Sequence, residues 1–287
     1  MNARIKVGTT TWAGRGLVQA GWYPPGVKSS EDRLHYYASQ FPIVENEAGY
    51  YAVLSREQVQ VWADRAPRGF TMNMKAHALL TAHYADPRRL PKDLKVPRDK
   101  PRVYPKDLTA STLRAIEHRF VDALAPLHEA GKLGVVLFQF PDWFVHNREH
   151  RGELVRLRDA FAPYRIAVEL RNKTWHDDRT IEFLRGEEIA YTCVDRSGET
   201  PIVAATTDLA VIRMHGRSPA RFKRGRSLEE GARYLYSRDE LAEWVPRIES
   251  LRAREVHVLF NNAVADYAVR NARDLIELLP RRRRTRA

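Results

Sequence analysis

Cysteine is almost absent from this sequence: Cys193 is the single one among 287 residues. One cysteine excludes an internal disulfide framework and a zinc site built from several cysteines. Such sparse use of cysteine fits a reducing compartment, and we therefore expect a cytoplasmic protein.

Long apolar segments are lacking as well. No stretch of the sequence approaches the roughly 18 apolar residues that a membrane-spanning helix needs. The opening residues, MNARIKVG, are polar and basic with no apolar run behind them, so no signal peptide is predicted. We accordingly expect no membrane among the partners of this chain.

Negative charge is in deficit. The chain has 48 Lys and Arg against 36 Asp and Glu, a formal net charge of +12. The last seven residues, RRRRTRA, supply five of these charges, and we interpret 281–287 as a disordered basic tail. The remaining +7 suits an anionic ligand, either a small molecule or a nucleic acid.

Eight short apolar runs, each of strand length, alternate with longer amphipathic segments. The runs are RIKVGTTTW, FPIVENE, FTMNMKAH, GVVLFQF, RIAVELRN, AYTCVDR, AVIRMHG and VHVLFNN. Strands that alternate with helices pair in parallel, and eight such units in under 300 residues predict an α/β fold, the (β/α)8 TIM barrel, as a single domain over residues 1–280. A doubly wound open sheet is the alternative, but its glycine fingerprint is missing after the first run.

The connections between the strands are unequal. The sixth, SGETPIVAATTDLA, has no helical pattern, so we expect the sixth helix to be degenerate. The connections after the third and seventh strands are long and rich in proline or arginine. In a barrel, both would lie on the rim at the C-terminal ends of the strands, where active sites form.

Polar side chains fall on one parity of the predicted strands, mostly near their C-terminal ends. Because side chains alternate between the two faces of a strand, Ala167, Glu169 and Arg171 share one face in the fifth run. The same parity elsewhere contains Val7, Thr9 and Thr11; Ile43, Glu45 and Glu47; Thr71, Asn73, Lys75 and His77; Val135, Leu137 and Gln139; Tyr191, Cys193 and Asp195; Val211, Arg213 and His215; and His257, Leu259 and Asn261, with Asn262 just past the end. We expect this parity to point into the barrel.

These inward groups admit two interpretations. A buried ion pair inside a barrel is one, because an unpaired buried charge is costly. A functional pocket is the other, and three acids facing three bases exceed what a structural pair needs. We favour the pocket, with the acids and bases Glu45, Glu169, Asp195, Lys75, Arg171 and Arg213.

Several motifs, in order along nearly the whole chain, resemble those of the YecE-like family, catalogued as domain of unknown function 72. They are VGTTTW, GWYPPG, FPIVENEAGYYAVLS, FTMNMKAH, VLFQFP, AVELRNKTW, VDR, IRMHG and VLFNN. The resemblance implies a TIM barrel with a polar pocket at its C-terminal face and a suggested relationship to endonuclease-IV-like barrels. By motif match it assigns these pocket residues: Glu45, Lys75, Gln139, Glu169, Arg171, Asp195, His215 and Asn261. Glu47 stands where the family usually has Asn, which adds negative charge beside Glu45.

An enzyme acting on a phosphate- or carboxylate-bearing substrate is the first hypothesis. The catalytic candidates are Glu45, Lys75, Glu169, Asp195 and His215, and the substrate-binding candidates are Trp12, His77, Gln139, Arg171, Arg213, Asn261 and Asn262. Glu45 or Glu169 would act as base and His215 as acid, while Arg171 and Arg213 would hold the anion. Lys75 would carry a proton or act as a nucleophile, although an ion pair with Glu45 or Glu47 explains it equally well.

Two other classes stay open. Nucleic-acid binding or cleavage fits the basic charge and the long rim loops, but no nucleic-acid motif is present. Metal-dependent hydrolysis would draw on the following oxygen and nitrogen donors: Glu45, Glu47, His77, Glu169, Asp195 and His215. Because Lys75, Arg171 and Arg213 already neutralise such carboxylates, we assign no metal ligand and expect no cofactor. For Trp12 two roles stay open: stacking on a ring of the ligand, or packing in the core.

Overall fold

Eight parallel strands close into a barrel in the computed structural model, which describes residues 3–218 and 233–280. Each strand pairs with its neighbour in sequence, and the last pairs with the first. The strands are β1 Arg4–Thr9, β2 Ile43–Asn46, β3 Thr71–Lys75, β4 Leu133–Phe140, β5 Ile166–Leu170, β6 Ala190–Asp195, β7 Leu209–Met214 and β8 Glu255–Phe260. The predicted (β/α)8 architecture is confirmed, and the β1–β8 ladder rules out the open sheet.

Helices surround this barrel. They are α1 Arg15–Gln19, α2 Ser30–Gln40, α3 Ala48–Tyr51, α4 Arg56–Arg65, α5 Ala110–Glu129, α6 Arg148–Ala160, α7 Asp178–Gly186, α8 Arg238–Ala242, α9 Trp244–Ser250 and α10 Tyr267–Leu278. A capping box begins α4: the side chains of Ser55 and Gln58 each accept a hydrogen bond from the other residue's backbone N–H. Across the described ranges, every helix is too short or too polar to cross a membrane.

The irregular connections agree with the sequence where the structure describes them. Residues 196–208, all of them described, join β6 to β7 without a helix. The long connection after β3 has only 3-10 helices, at Ala78–Thr81, Pro87–Arg89 and Pro105–Asp107. It is nevertheless folded onto the barrel, with Leu90 and Val103 buried. In the connection after β7, residues 219–232 lie outside the described residues, and so does the basic tail 281–287.

The barrel interior is filled by small and medium apolar side chains below the C-terminal mouth. They form a separate cluster of Val135, Leu137, Ala167, Ala190, Leu209 and Val211. These side chains come from β4, β5, β6 and β7, and they fill the middle layer of a TIM barrel. The polar residues that come next along the same strand faces therefore lie at the mouth of the barrel.

The predicted parity is wrong for two strands. Val7 of β1 and Cys193 of β6 belong to the large cluster between the strands and the helices, not to the interior. In β1 the inward residues are Lys6 and Thr10, which reach Thr71 and Asn261 across the barrel. A one-residue error in phase moves every side chain to the other face, so Asp195 also points outward.

Candidate functional site

Arg213, near the end of β7, is the centre of the site. Its side chain is fully buried between two carboxylates. Nη2 donates to Glu45 Oε1 on β2 at 2.6 Å, and Nη1 donates to Glu169 Oε2 on β5 at 2.5 Å. Gln139 on β4 accepts from Nη1 at 3.3 Å. One guanidinium therefore connects four strands, and its charge is compensated as burial requires.

His215 extends this network at the end of β7. Its Nε2 is 3.2 Å from Glu169 Oε2, and its Nδ1 is 3.0 Å from the side-chain nitrogen of Asn261. Asn261 Oδ1 accepts from Thr10 Oγ1 at 2.9 Å, which fixes the orientation of the amide. Because the amide nitrogen donates to Nδ1, the neutral ring carries its proton on Nε2 and donates it to Glu169.

Three further charged residues surround this network: Arg171 and Glu47, which are partly exposed, and Lys75, whose side chain is only 8% exposed. Lys75 at the end of β3 donates to Glu47 Oε1 at 3.2 Å and lies 4.3 Å from the centre of the Tyr50 ring. Arg171 Nε donates to Glu169 Oε1 at 3.1 Å. The side chains of Arg171 and Glu47 are about a quarter exposed, whereas that of Arg213 is fully buried. We call this set, with Arg213, Glu45, Glu169 and His215, the charged cup.

The two buried carboxylates of the charged cup have opposite electrostatic environments. Burial raises the pKa of Glu45, and the attraction of Arg213 offsets this only in part. Burial acts in the same direction on Glu169, but Arg213, His215 and Arg171 together hold its pKa well below the usual value. Glu45 Oε2 is buried with no hydrogen-bond partner among the described residues, which adds to the cost of ionising this carboxyl.

A recess lies beside the charged cup, between the end of β5 and the β6–β7 connection. It holds about 330 Å³ of atom-free space and is partly open to solvent. Its lining includes Glu169, Arg171, His176, Arg196 and Glu199. Arg196 donates to the backbone carbonyl of Arg171 at 3.1 Å, and this contact stabilises the wall of the recess. Glu169 is thus one of the lining residues of the recess, although the residue is only 1% exposed.

Asp195 lies away from the charged cup, contrary to the sequence analysis. It lies at the end of β6, on the outward face. The sequence analysis placed it on the inward face because the predicted phase of that strand was wrong by one residue. Its carboxylate accepts from Trp244 Nε1 at 2.6 Å, from Tyr236 at 3.2 Å and from Arg217 at 2.8 Å. Asp195 therefore holds the β7–α8 connection in place, and no contact joins it to Glu169.

Three predicted substrate-binding residues are also outside the charged cup. Asn262 donates to the carbonyl of Tyr234 and to Asn271, on the opposite face of β8 from Asn261. Trp12 is buried in the core, where its ring meets Trp62 edge to face at 6.1 Å. His77 is fully buried, and its Nδ1 accepts from the backbone N–H of Leu79.

The sequence analysis missed three rings near the site: Tyr50, His83 and Trp143. Tyr50 covers Lys75, and His83 lies 5.6 Å from Tyr50 and 5.9 Å from Trp143. Burial lowers the pKa of His83 to about 4, and the charges of Arg171 and Lys75 lower it in the same direction. Their place in the chain could have indicated these rings, since each one follows β2, β3 or β4 and so lies at the rim of the barrel.

The described residues contain no preformed metal site. Among the residues of 3–218 and 233–280, no three His, Cys, Asp or Glu side chains are grouped to hold a metal ion. The carboxylates of Glu45 and Glu169 are instead bridged by the guanidinium of Arg213.

Comparison with known proteins identifies the family. The family model described as "Protein of unknown function DUF72" matches residues 6–287. The UPF0759 protein YunF of Bacillus subtilis is 28% identical over 96% of this chain and 94% of its own length. A DUF72 family protein of Thermotoga maritima, 28% identical, superposes with a TM-score of 0.76 over 96% of this chain and 98% of its own. One from Enterococcus faecalis, 24% identical, shares the fold with a TM-score of 0.77 over 96% and 95%.

The family model spans nearly all of the chain, including most of β1, all of β2 to β8 and every residue of the charged cup. The resemblance that the sequence motifs indicated is therefore confirmed. This chain belongs to the DUF72 family.

Proposed function

We propose that the charged cup is an active site for acid–base or hydrolytic chemistry on an anionic, phosphate-bearing substrate. The observation that carries this proposal is the pair of buried carboxylates with opposite pKa shifts, Glu45 raised and Glu169 lowered, on one guanidinium. Environments that push two carboxyl pKa values apart are how enzymes provide an acid and a base in one site.

Glu169 is the base in this proposal. It stays ionised, lines the recess and accepts a hydrogen bond from His215. Glu169 takes a proton from a substrate or a water and returns it to the leaving group or to solvent, while the Nε2–H of His215 holds the carboxylate in position. Glu45, whose pKa burial raises, is the carboxyl of the pair that holds a proton more readily.

Arg171 and Lys75 bind the anion. The side-chain hydrogen bond described for Arg171 uses Nε, and a guanidinium has four further N–H donors for phosphate oxygens. Arg213, which sequence reasoning made a second anion ligand, is fully buried and bonded to Glu45 and Glu169. We assign Arg213 the positioning of these two carboxylates instead.

The test is turnover of p-nitrophenyl phosphate and bis(p-nitrophenyl) phosphate, together with calorimetric binding of inorganic phosphate. We expect Glu169→Gln to lower kcat by about 100-fold or more while phosphate still binds. Arg171→Met should weaken phosphate binding. Arg238→Met, which removes a surface ion pair with Glu277, is the matched control and should change neither quantity.

Two results contradict the proposal. One is wild-type protein that neither binds phosphate nor hydrolyses either ester. The other is a Glu169→Gln protein, folded by circular dichroism, that turns over as fast as wild type.

A further inference from the structure

Three large aromatic side chains are exposed at the mouth of the barrel. Tyr51, Tyr84 and Trp143 are 53%, 43% and 61% exposed, and they follow β2, β3 and β4 in turn. Of the six tryptophans, all within the described ranges, Trp143 alone is exposed. Exposed aromatic rings grouped on neighbouring active-face loops usually mark a binding surface. We call these three residues the aromatic rim.

The aromatic rim is continuous with the charged cup. Lys75 lies under the Tyr50 ring, Tyr50 meets Tyr51 at 5.0 Å and His83 at 5.6 Å, and His83 meets Trp143 at 5.9 Å. A chain of ring contacts therefore runs from a cation of the cup to the exposed indole. The aromatic rim is therefore joined to the cup at Lys75 through Tyr50 and His83.

The geometry of the rim leaves ring faces uncovered. The contacts of His83 with Tyr50 and with Trp143 are inclined, at 73° and 63°, so they cover less of each ring than stacking does. On Tyr84 a planar cation already uses one face, because the Arg102 guanidinium lies 4.3 Å from the ring centre. The rim thus accepts flat groups by stacking.

We propose that the aromatic rim is a subsite for the planar ring of a ligand whose phosphate binds at Lys75 and Arg171. The ligand class is a phosphorylated compound with an aromatic ring, the chemistry of a nucleoside monophosphate, either free or at the end of a strand. This inference rests on the proposed function for its phosphate and adds the ring. Stacking of a base on an aromatic side chain is strong enough to be measured by removing that side chain.

The experiment compares four probes by isothermal titration at low salt. Adenosine 5′-monophosphate carries ring and anion, adenosine the ring, inorganic phosphate the anion, and ribose 5-phosphate the anion on a saturated ring. The variants are Trp143→Ala and Lys75→Met. The control is Ile276→Ala, which removes an exposed apolar side chain near the end of α10, on the far side of the barrel from the mouth.

We expect wild type to bind adenosine 5′-monophosphate more tightly than phosphate or ribose 5-phosphate. Trp143→Ala should weaken the nucleotide by about tenfold or more and leave phosphate unchanged. Lys75→Met should weaken both, and Ile276→Ala neither. A 5′-phosphorylated oligonucleotide that competes better than the mononucleotide would place the ligand at a strand end; equal competition would favour the free nucleotide.

The failures are distinguishable. If phosphate binds through Lys75 but the nucleotide binds no better, or if Trp143→Ala binds the nucleotide like wild type, the ring subsite is overturned and the anion site stands. Preference for ribose 5-phosphate over the nucleotide overturns the planar ring. If neither phosphate nor the nucleotide binds, the proposed function and this inference fall together.

Discussion

At the scale of single residues, Arg213 has the largest energetic consequence. It is a cation enclosed by Glu45 and Glu169, and each of these carboxylates is itself buried. Removing one member of a buried ion pair leaves uncompensated charge, which costs about 3–5 kcal/mol. Such a group stabilises the fold and orders the site at once, because the same hydrogen bonds aim both carboxylates.

We predict that Arg213→Met lowers the free energy of unfolding by about 3–5 kcal/mol in urea titrations at neutral pH. Arg238→Met, which breaks an exposed pair with Glu277, should change it by less than about 1 kcal/mol. Equal effects for the two variants would mean that Arg213 carries no special share of stability.

His77 gives a prediction for pH dependence. Burial lowers the pKa of His77 from its ordinary value of 6.5 to about 4, so the folded state takes up this proton at lower pH than the unfolded chain does. Its contribution to stability is therefore complete above about pH 6.5 and is lost as the pH falls toward 4. His83 shifts in the same direction.

We predict that His77→Asn flattens the stability profile between pH 6.5 and 5. The asparagine oxygen takes the place of Nδ1 as acceptor for Leu79, and it does not titrate. Urea midpoints of wild type and variant at several pH values measure this. A variant whose midpoint falls with acid as steeply as that of wild type contradicts the assignment to His77.

At the scale of elements, the first strand shows how closure of the barrel depends on one glycine. A Cβ added at Gly8 would lie 2.0 Å from the backbone oxygen of Ile43 in β2. That oxygen cannot move without disturbing the short β1–β2 pairing. By contrast, Gly152 inside α6 has open space where a Cβ would be added.

We predict opposite effects for two alanine substitutions. Gly8→Ala should destabilise the protein by about 3 kcal/mol or more, because backbone atoms would have to separate. Gly152→Ala should stabilise it by about 0.5–1 kcal/mol, because helical alanine loses less conformational entropy than glycine. Thermal unfolding compares the two, and a Gly8→Ala protein as stable as wild type would contradict the clash.

The elements also show what the sequence could and could not predict. Alternating polarity identified eight strands and gave the correct inward face in β5 and β7, where charged residues alternate with apolar ones. In β1 the alternation of Arg4 and Lys6 with Ile5 and Val7 indicates the observed face, but the prediction followed Thr9 and Thr11 instead. In β6 the alternation is weak, because Thr, Ala and Cys fit either face. Asp195 was misplaced for this reason. Tyr50 lies in the four-residue α3, and His83 and Trp143 lie in irregular connections, so no periodicity indicates their direction.

At the scale of the whole molecule, the positive charge is unevenly distributed along the chain. Five of the twelve net charges lie in residues 281–287, and the remaining seven belong to residues 1–280. Affinity for a polyanion depends on how many Lys and Arg side chains displace its counterions. Residues 1–280 and residues 281–287 therefore contribute separately to any retention on DNA.

We predict that a chain ending at Pro280 elutes from a DNA column at lower salt than the full chain. The loss of five cations reduces the salt dependence of binding. Binding of adenosine 5′-monophosphate should be equal in the two chains, since the charged cup is unchanged. Identical elution would place the polyanion affinity in residues 1–280.

The outward-facing Asp195 has a consequence for sequence variation. Its carboxylate grips Arg217, near the start of the β7–α8 connection, and Tyr236, near its end. Tyr236 also accepts the backbone N–H of Gly216. The start and the end of this connection are therefore held together by the same carboxylate, whichever residues lie between them. Because this clamp uses only the side chains of Asp195, Arg217 and Tyr236 and the backbone of Gly216, we expect it to tolerate changes in the number and type of the residues between its two ends.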